Sequence, residues 1–215
     1  MVAVKENNVT PPGPAPPAAG RRSQAERRAA TRQALMDAAR ALFAERGFAG
    51  VGREEIVRRA GVTRGAMYHY FASKEELFRA VYEAVERDLL DSVAVAAVRD
   101  PDPVQQLRLG TRAFLDAAGT EEVRRISLLD APAVLDPSVR KELSSQYGLG
   151  LVTEALRAVA AAGRLSVGTP ASLAPILLAA MHEAATRIAD GEPADQLIEV
   201  MDELIVRVTS GPGRI

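Results

Sequence analysis

From Ser23 to Arg46, apolar residues recur at Leu35, Met36, Ala39, Leu42 and Phe43, the three- and four-residue spacing that buries one face of a helix. Gly47 supplies its stop. A short helix is predicted over Arg53–Ala60, with Ile56, Val57 and Ala60 inward. Gly61-Val62-Thr63 makes a tight turn, and Thr63 is a good N-cap for a second short helix from Arg64 to Phe71. Ser73-Lys74-Glu75-Glu76 reads as a capping box, serine at the cap and glutamate three positions on. It opens a long helix through Leu77, Val81, Val85 and Leu89 to about Val98. Later starts pair a capping residue with a proline at Asp102-Pro103, Asp136-Pro137 and Thr169-Pro170. Thr120-Glu121-Glu122 starts a further helix, its acids near the positive dipole end. Gly163 closes a helix over 149–162, and Gly191-Glu192-Pro193 separates the last two, 171–190 and 194–208. No run alternates β-branched with polar residues. The expectation is roughly nine helices and no sheet, an all-α fold.

Composition and charge narrow the class. The 215 residues are 47% hydrophobic and 26% charged, enough to bury a core in one or two domains. Residues 1–22 contain PPGPAPPAAG and read as a disordered or polyproline-like tail. The N-terminus lacks a basic cap followed by an apolar stretch, so no signal peptide is expected. No run approaches the ~20 apolar residues of a membrane span. The sequence contains no cysteine, which excludes disulfides, thiolate metal sites and a cysteine nucleophile. His182-Glu183 begins like the zinc-binding HExxH, but Thr186 stands where the second histidine belongs, so neither a metal nor a cofactor is expected. The net charge of -1 conceals an asymmetry: residues 21–74 carry 12 basic against 5 acidic groups, and residues 75–215 carry 14 against 22. A basic module joined to an acidic one suits a polyanion at the first module only, and also suits a solvated arginine-rich face.

The segment FAGVGREEIVRRAGVTRGAMYHYFASKEEL, residues 48–77, carries the functional signal. Two short helices flank a turn at Gly61, where glycine supplies the positive backbone dihedral of a helix-turn-helix. Ile56, Val57, Val62, Met67 and Phe71 would pack them on the first helix. Arg64, Gly65, Tyr68 and His69 are left facing outward. Hydroxyl and imidazole groups donate to phosphate oxygens, arginine reads guanine edges or phosphate, and Gly65 lets the backbone approach a base. Lys74 would set its ammonium and the free N–H groups of the next helix before a phosphate.

Through ARALFAERGF (residues 39–48), EEIVRRAGVTRGAMYHYF (54–71) and SKEEL (73–77), the segment resembles the DNA-binding domain of the TetR family of transcriptional regulators. The resemblance implies an N-terminal three-helix DNA-binding domain over 23–74 and a C-terminal helical bundle over 75–215 for ligand binding and dimerisation. It implies that Thr63 caps the recognition helix, that Arg64 and Gly65 meet bases, that Tyr68 and His69 clamp phosphate, and that Lys74 is the family's lysine. Many members carry Thr-Thr where this chain has Val51-Gly52, so a capping hydroxyl is lost. Two readings of the following Arg53 stay open: it replaces the lost phosphate contact, or it is solvated. Arg21, Arg22, Arg27, Arg28 and Arg32 form a basic lead-in that either lies along DNA or merely solubilises.

The resemblance further implies a homodimer through the last two helices, which would hold two heads about 34 Å apart on a palindromic operator in double-stranded DNA. A cavity for an unknown small-molecule effector is expected among the central helices. Its candidate walls are Phe114, Leu128, Leu129, Tyr147, Leu151 and Met181, with Arg112, Asp130 and His182 as polar contacts. A ligand there would shift the long helix after Ser73 and change the head spacing, with a coupling of ~1–3 kcal/mol. The expected function is a cytoplasmic, ligand-released repressor; an activator of the same family and a helical interaction adaptor are the alternatives. No glycine-rich phosphate loop, Gly-x-Ser-x-Gly or nucleophile–base–carboxylate set occurs, so an enzyme is not expected.

Overall fold

A computed structural model describes residues 23–143 and 148–210, and among these every regular element is helical. The proline-rich tail, Arg21, Arg22 and Tyr147 lie outside the described residues. Helix α1 spans Gln24–Arg46. Ser23 accepts from the Glu26 N–H, and the Glu26 carboxylate accepts from the Ser23 N–H, closing a full capping box. At its other end Gly47 has φ 72°, and its N–H donates to the Phe43 carbonyl. The Arg125 guanidinium lies so close that a side chain at Gly47 would collide with it.

Helices α2 (Arg53–Ala60) and α3 (Arg64–Tyr70) meet at Gly61, which sits in the left-handed region at φ 66°, ψ 29°. Thr63 caps α3, its hydroxyl accepting from the Ala66 N–H at 3.3 Å. Ile56, Val57, Met67 and Phe71 are buried, and Val62 is half-buried. Helix α4 runs from Lys74 to Ala97. Ser73 caps it, but the returning Glu76 carboxylate accepts from the Ala72 N–H at 2.6 Å rather than from Ser73, one residue beyond the expected box. The rings of Phe43, Phe48 and Phe78 meet at centroid distances of 5.2–5.8 Å and tie α1 to α4.

In the remainder of the chain, α5 (Pro103–Ala118) packs against α4, α8 (Gly150–Ala161), α9 (Pro170–Ala189) and α10 (Ala194–Thr209). Asp102 and Thr169 cap α5 and α9 ahead of their prolines. The helix expected after Thr120 becomes a π-helical segment, Val123–Asp130, continuing into the short α6 (Ala131–Val134). The Ala131 N–H closes on the Ile126 carbonyl, five residues back. Pro132 has no N–H for the Leu128 carbonyl and its ring crowds that turn, which suits a widened helix. Helix α7 (Pro137–Leu143) follows.

Polar contacts join the helix-turn-helix head to this bundle. Arg40 on α1 forms a two-point pair with Glu122, both bonds 2.7 Å, and a 2.5 Å bond to Asp88 on α4. These carboxylates push the Arg40 pKa upward. The Asp130 carboxylate accepts from the Phe48 N–H at 2.6 Å. The π segment thus grips the end of α1 and the loop that follows it.

Candidate functional site

The short helices set their exposed side chains by subtraction. Met67 faces inward, so Arg64, Gly65, Tyr68 and His69 point outward; Tyr68 is 42% exposed, and Arg64, Gly65 and His69 are exposed as well. Tyr70 is half-buried, its ring edge-on to His69 at 5.0 Å. A Cβ added at Gly65 would meet nothing within 4 Å, so its backbone stands open. Arg53 at the start of α2 donates to the Tyr68 hydroxyl at 2.9 Å and lies 5.9 Å from its ring. The guanidiniums of Arg64 and then Arg53 hold the Tyr68 hydroxyl below the usual phenol range. Two cations and a phenol therefore converge on one exposed point. Arg64 also pairs with Glu54 at 3.3 Å. Gly52 caps α2 without a side-chain bond.

Lys74 differs from the open ammonium expected of it. Its Nζ donates to the carbonyls of Phe48 at 2.9 Å and Val51 at 3.0 Å and lies 3.9 Å from the Phe48 ring. Two of its three protons thus fix the loop between α1 and α2. Arg32 on α1 sits 5.1 Å above the Phe71 ring.

Within the bundle, two chambers share a wall made by Glu86, Phe114 and His182. One, about 280 Å³, is apolar and reaches Met181, Leu151 and Leu178. The other, about 330 Å³, reaches Leu128, Ser127, Tyr82, Arg140 and Lys141. Of the expected walls, Phe114 and His182 line both chambers, Leu151 and Met181 the first and Leu128 the second, whereas Leu129 lines neither. Two expected polar contacts lie elsewhere. Asp130 is held by the Phe48 N–H, and Arg112 pairs with Asp116 at 3.7 Å beside a surface groove between α5 and α10. Burial lowers the His182 pKa, so its imidazole is neutral at physiological pH. Burial raises that of Glu86, with the Ser127 hydroxyl opposing. Glu86 was not anticipated. Its signal is its position, four residues after Tyr82 and next to Val85, on the edge of the buried stripe of α4.

A helix-turn-helix head on an all-helical bundle, with arginine, tyrosine and histidine displayed on the second short helix, defines the class as a two-domain DNA-reading fold. The family described as bacterial regulatory proteins of the tetR family matches residues 35–81, and a tetracyclin repressor-like C-terminal domain matches residues 104–212. The chain belongs to the TetR family. It is 36% identical over 97 residues to the transcriptional regulator AcrR of Shigella flexneri, a stretch covering 45% of each chain. It is 26% identical over 181 residues to the transcriptional repressor AcnR of Corynebacterium efficiens, covering 80% of this chain and 89% of that one. The crystal structure of a TetR-family regulator from Pectobacterium atrosepticum superposes with a TM-score of 0.75 at 28% identity, covering 89% of this chain and all of that one. The match thus spans less than half the length of AcrR and nearly all of AcnR. No helix among the described residues is long and apolar enough to cross a membrane.

Proposed function

We propose that this protein is a sequence-specific DNA-binding transcriptional regulator, a repressor that a small molecule releases from a palindromic operator. The observation that carries this is the convergence of Arg53, Arg64 and the Tyr68 hydroxyl at one exposed point beside the open backbone of Gly65. Such a cluster suits a phosphate, because charged donors and a phenol saturate its oxygens together. In this reading residues 23–74 read DNA and residues 75–215 bind the effector and dimerise. Thr63 and His69 flank the phosphate site, and Lys74 holds the loop in place with its third proton left for the backbone. Ile176, Val200 and Leu204, exposed on α9 and α10, support a homodimer through those helices. Repression is favoured by likeness to AcnR, which is named a repressor. The protein works where the DNA is, in the cytoplasm, and performs no catalysis.

A mobility-shift titration with short duplexes from the gene's own upstream region tests this. A discrete shift on a palindromic duplex is expected, weakening steeply with salt as phosphate contacts release counterions. Binding indifferent to sequence and salt would overturn it.

A further inference from the structure

The wall between the two chambers holds a carboxyl that no described residue pairs with. Glu86 borders both chambers together with Phe114 and His182. Among the described residues it makes no ion pair and no cation contributes to its titration; burial raises its pKa, and Ser127 lies near enough to oppose this without reaching hydrogen-bond geometry. Ser127 Oγ is itself buried without a hydrogen-bond partner. Glu86 is half-buried, and a carboxyl largely withdrawn from water without a partner is a cost that a bound cation would relieve. Arg140 does not fill this role: it lines the second chamber beside the exposed Lys141, its own Nε is likewise buried without a hydrogen-bond partner, and its charge registers at Tyr82 but not at Glu86.

What surrounds the carboxyl fits one chemistry best. The Phe114 and His182 rings stand 5.7 Å apart at the same wall, and the imidazole is neutral, so both offer faces or lone pairs rather than positive charge. On one side lies the apolar chamber of Leu107, Leu178 and Met181. A cation between a carboxylate and aromatic rings gains both a charge-assisted hydrogen bond and a cation–π contact. A carboxylate ligand would face Glu86 as a like charge.

Resting on the regulator reading, we propose that the effector class is an apolar molecule bearing a protonated amine, its ammonium held by Glu86 at the junction and its apolar body in the chamber toward Met181. Ser127 accepts a further N–H of the ammonium, which gives its orphaned hydroxyl a partner.

The test is calorimetric titration of the full-length protein, without DNA, using three probes of one shape: 4-phenylbutylamine, 4-phenylbutanol and 4-phenylbutyrate. The amine is expected to bind at least ~10-fold tighter than the alcohol, the order of one charge-assisted bond. Glu86→Gln should erase that preference and leave alcohol binding within about twofold, as expected if only the charged contact is lost. Phe114→Leu should weaken both ligands through the lost wall and should cost the amine severalfold more than the alcohol, because only the amine loses a cation–π contact. Equal binding of amine and alcohol, tighter binding of the carboxylate, absence of amine binding at millimolar concentration, or a preference that survives Glu86→Gln overturns the proposal. The same preparations are shifted on operator DNA in parallel: failure there sinks the regulator reading, whereas loss of amine preference with DNA binding intact sinks only the ligand assignment.

Discussion

Tyr68 is the residue at which the DNA reading is most sharply exposed to test. Its hydroxyl accepts from Arg53, and it lies outside the buried core. Tyr68→Phe should therefore leave thermal stability unchanged and weaken operator binding about fivefold to tenfold, on the order of one hydrogen bond, read by fluorescence anisotropy. Gly65 gives a complementary case. Its surroundings are empty in the free protein, so Gly65→Leu should fold yet lose operator binding by at least ~10-fold where the side chain meets a base edge. Glu86 predicts a pH effect. Burial raises its pKa, so on raising pH the unfolded chain releases this proton before the folded one does. Its contribution is thus fully present in acid and is lost as pH rises through the folded-state pKa. Glu86→Gln should raise Tm at pH 8, and the gain should vanish toward pH 4 in a thermal melt series. Sequence periodicity placed Met67 inward and Tyr68 outward because a seven-residue helix with one buried side leaves no other choice. The Arg53–Tyr68 bond was not legible, since it joins side chains across a turn whose packing decides which rotamers meet.

Among the elements, helix ends were the most readable feature. Thr63, Asp102 and Thr169 cap where expected because the capping bond is local, reaching only two or three residues along the chain. The π-helical stretch was not readable. VRRISLLD carries ordinary helical spacing, and its widened turn reflects both Pro132 and long-range grips such as Arg40–Glu122, whose partners are 82 residues apart. The loop between α1 and α2 depends on a similar grip. Replacing Lys74 with Met removes the donor from two carbonyls and the cation from the Phe48 ring. The head should lose about 1–3 kcal/mol, the cost of leaving such groups unpaired, read by denaturant unfolding. Gly52 offers the opposite sign. Its φ of -90° suits any residue, and Gly52→Ser should add a missing cap worth a few tenths of a kcal/mol, about 0.5.

At the scale of the whole molecule, the basic head and the acidic remainder were visible in the sequence. The joint between head and bundle was not, because Asp130 and Phe48 become neighbours only on folding. If Ile176, Val200 and Leu204 form the homodimer face, Leu204→Glu should yield a monomer on size-exclusion chromatography and abolish operator binding, since one head alone makes too few phosphate contacts. Helix α4 begins in the head and carries Glu86 halfway along its 24 residues. A rod of that count is about 36 Å long, and leaning it by only ~5° about its far end carries the near end roughly 3 Å, comparable to the rise of one base step. An imperceptible settling around a guest in the core is thus geared up, through an unbroken spindle, into a misfit of a whole rung on the ladder outside.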